Sequence, residues 1–395
     1  MSFHSIQYAR ALAALMVVVF HMGGTEYAGR YSGHWLGSGV DIFFVISGFI
    51  MYWTTVDRDV TPAGFIRRRL LRIVPLYWLV TTVMVVLILA VPQVVRSGSF
   101  DLSHVVASYL FLPWTHPVLN YPFPVVIPGW TLNYEMFFYV VFAACLALPG
   151  RWRPWGLTAA LCGLVLAGWI FDPHQVQARF YTSTLLLEFL FGTGIGMLVR
   201  RGRLMPRALA LAIVPVILPA LWLLDGMPQQ GLTWGLPAAA FVYGVISLER
   251  QGLMPRLPLL LLLGNASYSL YLIHPMVLSA LDQVLERTGV TAVAAAPLPG
   301  LGLSLVILVV TAIAGCLCYL WLEQPLGRLA HRAFGERSRG TVPELETINR
   351  QDRDLSPSHA EVESGALARH GVAPQPDRLS CPVPLAPLPP SPGAS

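Results

Sequence analysis

An arginine and a histidine, Arg10 and His21, stand eleven residues apart in the first apolar stretch, YARALAALMVVVFH. At about 100° per residue, eleven steps make roughly three turns plus 20°, so both side chains share one helix face, about 16 Å apart along the axis. Ionisable groups inside a membrane span are costly and mark functional sites by default. Two on one stripe define a polar track running into the bilayer.

Three more ionisable residues are expected at similar depth. Glu135 lies one to two turns into the apolar run that begins near Trp130. Asp41, in GSGVDIFFVISGF, lies about one turn into the second run, and His274 lies in the outer half of the ninth. Arg10 falls near the inner boundary, and Arg68, Arg69 and Arg72 of RRRLLRIVPLYW fall on the inner face. A histidine with a carboxylate partner can take a proton from a hydroxyl at near-neutral pH. Arginines on the opposite side can hold phosphate groups through paired hydrogen bonds. The combination suits acyl transfer from a phosphate-bearing donor. Each residue also has a plain structural explanation: a hydrogen-bonded core histidine at His21, helix-start charges at Asp41 and Glu135, topology signals at Arg67 to Arg72, and a kink-bridging side chain at His274 beside Pro275.

The elements that must position these groups are membrane spans. Of 395 residues, 55% are hydrophobic and 12% charged, with a mean hydropathy of +0.60. Soluble domains average about 25% charged. Runs near the ~20 residues needed to span fall at about 7–25, 37–56, 73–91, 130–149, 155–171, 183–199, 208–224, 232–249, 258–279 and 299–321. The expected fold is an all-α integral membrane bundle of ten helices. The first stretch has no basic n-region of its own and no A-x-A-like site, so it is expected to be a retained span and not a cleaved signal. With the N-terminus inside, the inner loops hold seventeen arginines; Arg30, Arg96, Arg179 and Arg287 alone fall outside. That bias puts both termini in the cytoplasm.

All 26 basic residues are arginine, as a GC-rich bacterial genome would give, and none of the five cysteines has metal-ligand spacing with histidine. No metal and no nucleic-acid partner are expected. The proline-rich segment from about 92 to 129 is expected to be an outer-face loop partly folded back into the protein, since proline excludes a straight helix. Residues 1–335 are expected to form the membrane domain. Residues 336–395, rich in Pro, Ser and charge, are expected to be a disordered cytoplasmic tail.

The sequence also resembles the membrane acyltransferase-3 family, whose members O-acylate carbohydrates and some antibiotics. The resemblance rests on six stretches in order over about residues 5–330: Arg10 with His21, GVDIFFVISGF, RRRLLRIVPLYW, WTLNYEMFFY, SYSLYLIH and WLEQP. The opening SIQYARALAALMVVVFH and GVDIFFVISGFIMYW look most like the branch that acetylates bacterial exopolysaccharide. It implies a ten-helix bundle and acyl-CoA, commonly acetyl-CoA, as donor. It implies that Arg10 and His21 are essential, with His21 as base, and that Arg69 and Arg72 handle the donor. Glu135 and Asp41 fall on family motifs. Some relatives carry a C-terminal esterase-like domain; a disordered tail here would place all activity in the bundle. The expected partners are acyl-CoA, a carbohydrate or glycosylated acceptor and the lipid bilayer, in a bacterial plasma membrane. The rival readings are acylation of a macrolide or other secondary-metabolite sugar, a transporter, and a non-catalytic export scaffold.

Overall fold

The computed structural model describes residues 3–23, 33–91, 98–225, 227, 231–289 and 297–334. The expected tail at 336–395, Arg30 and Arg96 lie outside them. Among the described residues every regular element is helical. The helices are α1 (His4–Met22), α2 (Gly39–Thr55), α3 (Pro62–Ala90), α4 (Leu102–Tyr109), α5 (Gly129–Leu146), α6 (Arg153–Phe171), α7 (Val176–Tyr181) and α8 (Leu186–Arg200). They continue as α9 (Arg207–Leu223), α10 (Gly235–Arg250), α11 (Pro258–Asn265), α12 (Ser267–Thr288), α13 (Pro297–Cys318) and α14 (Gln324–Ala333). Each of the ten expected spans falls on a helix. Six segments are long and apolar enough to cross a membrane, and a bent pair brings the total to seven. The helices at α5, α9 and α10 are shorter or less apolar.

Two expectations are corrected. The run at 258–279 is not one straight span. It breaks at Ala266 into α11 and α12, which meet at 70°. The bend does not fall at Pro275, which lies inside α12. Gly264, just before the break, lets α11 approach α1: a Cβ there would sit 2.2 Å from the Gln7 carbonyl oxygen. The third run begins earlier than expected. Thr61 caps α3, its Oγ1 accepting from the Gly64 N–H at 3.1 Å, and Pro62 stands at the first helical position. Pro at that position and a threonine cap are strong helix starts. The arginine cluster therefore rides on the first turns of α3, not in a loop.

The bundle is organised around α2. Its Phe44 and Met51 enter one large apolar cluster, and its Ile42, Val45, Ile46 and Phe49 enter another. Its contact with α8 is a backbone-to-backbone approach. A Cβ on Gly48 would lie 2.0 Å from the Phe189 carbonyl oxygen, and one on Gly192 only 1.9 Å from that of Val45. Small residues permit this spacing in membrane helices, where lipid gives little hydrophobic drive. The start of α1 is tied to the last turn of α10: Glu249 accepts from the backbone N–H groups of His4 (2.7 Å) and Ser5 (3.0 Å). A carboxylate at a helix start satisfies orphan donors and opposes the positive dipole end.

At the other extreme, α6 faces outward. Its Trp155 and Trp169 are 65% and 82% exposed. Fourteen residues separate them, about 21 Å along a helix, a spacing that suits two interfacial aromatic anchors. The proline-rich segment is packed against the bundle. His104 and His116 are both buried there. His104 Nε2 donates to the Phe123 carbonyl at 2.9 Å, and His116 Nδ1 accepts from the N–H groups of Val118 and Leu119. Phe111 stacks on Tyr77 of α3 at 4.6 Å.

Candidate active site

A cavity of about 90 Å³ opens among α1, α2, α3, α5 and α12. It is large enough for several waters or the narrow end of a thioester. Three arginines line it: Arg10 from α1, and Arg69 and Arg72 from α3. Residues three apart on a helix share a face, which is why Arg69 and Arg72 enter together. Arg68, expected with them, is exposed on another side of α3 and is absent from the lining. Arg69 is buried to 3% exposure and lies over the rings of Phe65 (5.5 Å) and Tyr139 (5.9 Å). Stacking on aromatic faces suits a guanidinium held away from bulk water. Arg10 Nε donates to Ser267 Oγ at 3.1 Å, at the start of α12.

Glu135 lies in the same cavity. Its Oε1 accepts from Ser47 Oγ of α2 at 3.1 Å and from the Tyr139 hydroxyl one turn further along α5. A second carboxylate, Glu323, stands outside the cavity lining. It ends a π-helical stretch, Tyr319–Glu323, between α13 and α14. Such π-turns are rare and concentrate at functional sites. Glu323 Oε2 accepts from Ser269 Oγ at 2.5 Å, and both Arg10 and Arg72 lie within its electrostatic reach. Three arginines and Glu135 thus line the cavity, Glu323 lies within electrostatic reach of two of them, and serine and tyrosine hydroxyls hold both carboxylates.

The histidines form a separate group. His21 stands in the last turn of α1 and is exposed. Its Nδ1 is 2.9 Å from the Val17 carbonyl oxygen and 3.3 Å from Nε2 of the fully buried His274. The two rings meet edge to face at 4.8 Å. Tyr271 connects the groups: it lines the cavity, and its ring lies 5.9 Å from that of His274. Asp41 is in neither group. It is fully buried in the first turn of α2, beside the equally buried Glu188 of α8.

The structure thus joins Arg10, Arg69, Arg72 and Glu135, and joins His21 to His274. It does not bring Asp41 or Glu135 into hydrogen bonding with His21, as the depth argument expected. Depth along a span follows from counting residues; the side of the helix a partner occupies does not. Glu323 and Glu188 were missed. Glu188 lies in the apolar run TLLLEFLF, where the rule that flagged Glu135 applies equally, and Glu323 lies in WLEQP, just past the end of the tenth run. Among the described residues no group of three His, Cys, Asp or Glu side chains is arranged to hold a metal ion.

Apolar helices too numerous for a peripheral protein, enclosing a charged cavity, define a multi-pass membrane protein. Residues 3–321 match the model of the Acyltransferase domain family. The chain belongs to this acyltransferase-3 family. It is 40% identical over 312 residues to "Exopolysaccharide production protein ExoZ" of Rhizobium meliloti (strain 1021), covering 76% of this chain and 94% of that protein. It is 27% identical over 355 residues to "Acyltransferase MdmB" of Streptomyces mycarofaciens, covering 79% of this chain and 86% of that one. No solved structure matches it.

Proposed function

We propose that this protein transfers an acyl group, acetyl by preference, from acyl-CoA to a sugar hydroxyl of a bacterial exopolysaccharide or related surface glycan. It does so within a ten-span bundle in the plasma membrane, with both termini cytoplasmic. The observation that carries the reading is the convergence of Arg10, Arg69 and Arg72 in one cavity of an acyltransferase. Similarity to an exopolysaccharide production protein supports the acceptor class. The arginine bias supports the orientation.

In this reading the donor enters from the cytoplasmic side. Its phosphates meet Arg69 and Arg72 at the start of α3, and Arg10 follows further along. Guanidinium groups bind phosphate oxygens in pairs and keep their charge at any accessible pH. Glu135 and Glu323 hold the arginines in place between turnovers. The thioester reaches past Tyr271 towards the histidine pair, and the acceptor hydroxyl arrives from the outer mouth, where His21 is exposed. His21 takes the hydroxyl proton, the oxygen attacks the thioester carbonyl, the C–S bond breaks, and the CoA thiolate leaves with that proton. Asp41 sits outside this path and steadies α2 against α8.

The test uses the full chain in proteoliposomes with radiolabelled acetyl-CoA and the exopolysaccharide of its host. Label should appear in the polymer, and its mass should rise by one acetyl group per modified sugar. Label that stays in CoA, or polymer transport without acylation, would contradict the assignment.

A further inference from the structure

The sequence His274–Pro275 fixes which nitrogen of His21 is available as the base. Proline has no N–H, so Pro275 leaves the carbonyl four residues earlier without its helical donor. That carbonyl belongs to Tyr271, and His274 Nδ1 lies 2.7 Å from its oxygen. A carbonyl oxygen only accepts, so His274 Nδ1 carries a hydrogen, and in the neutral ring Nε2 then holds the lone pair. The same logic applies to His21. Its Nδ1 is 2.9 Å from the Val17 carbonyl oxygen, so that nitrogen too carries a hydrogen. The His21 Nδ1–H is shared with the lone pair on His274 Nε2 at 3.3 Å. The reverse arrangement would aim a His21 lone pair at a carbonyl oxygen, which is repulsive.

We infer that His274 is a positioning residue that holds His21 in the Nδ1–H tautomer, leaving Nε2 of His21 as the atom that accepts the acceptor hydroxyl's proton. His274 and the Val17 carbonyl are then the two acceptors that stabilise the imidazolium formed in the step. The hydrogen bond on one ring nitrogen selects the chemistry of the other. Here the selecting partner is a buried neutral histidine, in the place a carboxylate takes in a serine-hydrolase triad. The proton balance is closed: Nε2 gains the hydroxyl proton as the ester C–O bond forms, and returns it to the CoA sulfur as the C–S bond breaks.

This inference rests on His21 being the base, and the experiment separates the two. In proteoliposomes His274→Leu removes the acceptor, whereas His274→Gln keeps an acceptor at the Nε2 position. His274→Leu should lower kcat about 10–100-fold with donor KM unchanged, and His274→Gln should recover most of that loss. In the 15N-histidine-labelled wild-type protein, the His21 signals, assigned by their absence from His21→Ala, should show a protonated Nδ1 and a bare Nε2. A protonated Nε2 on His21, or wild-type kcat in His274→Leu, overturns the positioning role. The labelling measurement decides the matter if His274→Leu does not fold. An active His21→Ala would instead overturn the base itself.

Discussion

The cavity and the histidine pair are built in opposite ways. The cavity draws charges from α1, α3 and α5, with Glu323 of the π-turn beside it, and three of these side chains bond a partner far away in the chain: Arg10 with Ser267, Glu135 with Ser47, Glu323 with Ser269. Each histidine is anchored to a carbonyl of its own helix, His21 to Val17 and His274 to Tyr271, before the two meet. They share a single contact with each other. Long-range fixing suits a binding site that must keep like charges close together. Local fixing suits a proton acceptor whose tautomer must not change while the ligand does.

The contrast predicts a clean separation of kinetic effects. Replacing His21 with Ala should cut kcat about 10²–10⁴-fold, the usual worth of a general base, with donor affinity intact. Steady-state rates over a range of acetyl-CoA concentrations would show it. Replacing Arg69 and Arg72 together with Ala should raise donor KM at least about 10–100-fold, since even one hydrogen bond to a charged group is worth about 1.5–3 kcal/mol. In that variant kcat should change less than KM.

Gly192→Ala strikes the packing of α8 against α2, which lines the cavity. Its new Cβ would sit 1.9 Å from the Val45 carbonyl oxygen, and forced overpacking costs about 1–3 kcal/mol. Thermal unfolding should show a lower Tm, with kcat and KM both worsened as α2 shifts. Glu323→Gln is expected to be milder, a severalfold rise in donor KM, because the amide can still accept from Ser269 while its charge opposite Arg10 and Arg72 is gone. Ser269→Ala should produce a smaller change of the same sign.

The smallest effect concerns neither site. His116, in the proline-rich segment, has its pKa pushed below the ordinary 6.5 by burial and by the neighbouring His104. Folding therefore favours its neutral form. That contribution is fully present above the unfolded value of 6.5 and is lost as pH falls through the lower folded value. Hydrogen-exchange protection across residues 98–128, relative to intrinsic exchange at each pH, should fall on acidification in that window. Protection of α2 and α8 should hold.

Much of this was legible in the sequence, for identifiable reasons. Hydropathy marked every long helix because a span must be apolar over its whole length. The joint entry of Arg69 and Arg72 follows from their three-residue spacing. Pairings between helices were not legible. Depth placed Glu135 and His21 at one level, yet the structure puts Glu135 in the arginine-lined cavity, bonded to Ser47 and Tyr139, and His274 against His21, because nothing in one helix's sequence states which neighbour its face meets. The break at Ala266 was hidden too: Pro275 drew attention as the obvious kink, while its real consequence is a freed carbonyl at Tyr271. Glu188 was readable as a buried carboxylate by the rule that marks Glu135; Glu323 was not, because it lies just past the tenth run, where hydropathy does not place it inside a span.

Binding and chemistry are assigned to different residues, so donor binding measured without turnover tests the account most directly. Calorimetric titration of the purified full-length protein with CoA should give the same Kd for wild type and His21→Ala, and a Kd about 10–100-fold weaker for the Arg69→Ala, Arg72→Ala double variant. Unchanged CoA binding in the double variant, or its loss in His21→Ala, would contradict the division of labour.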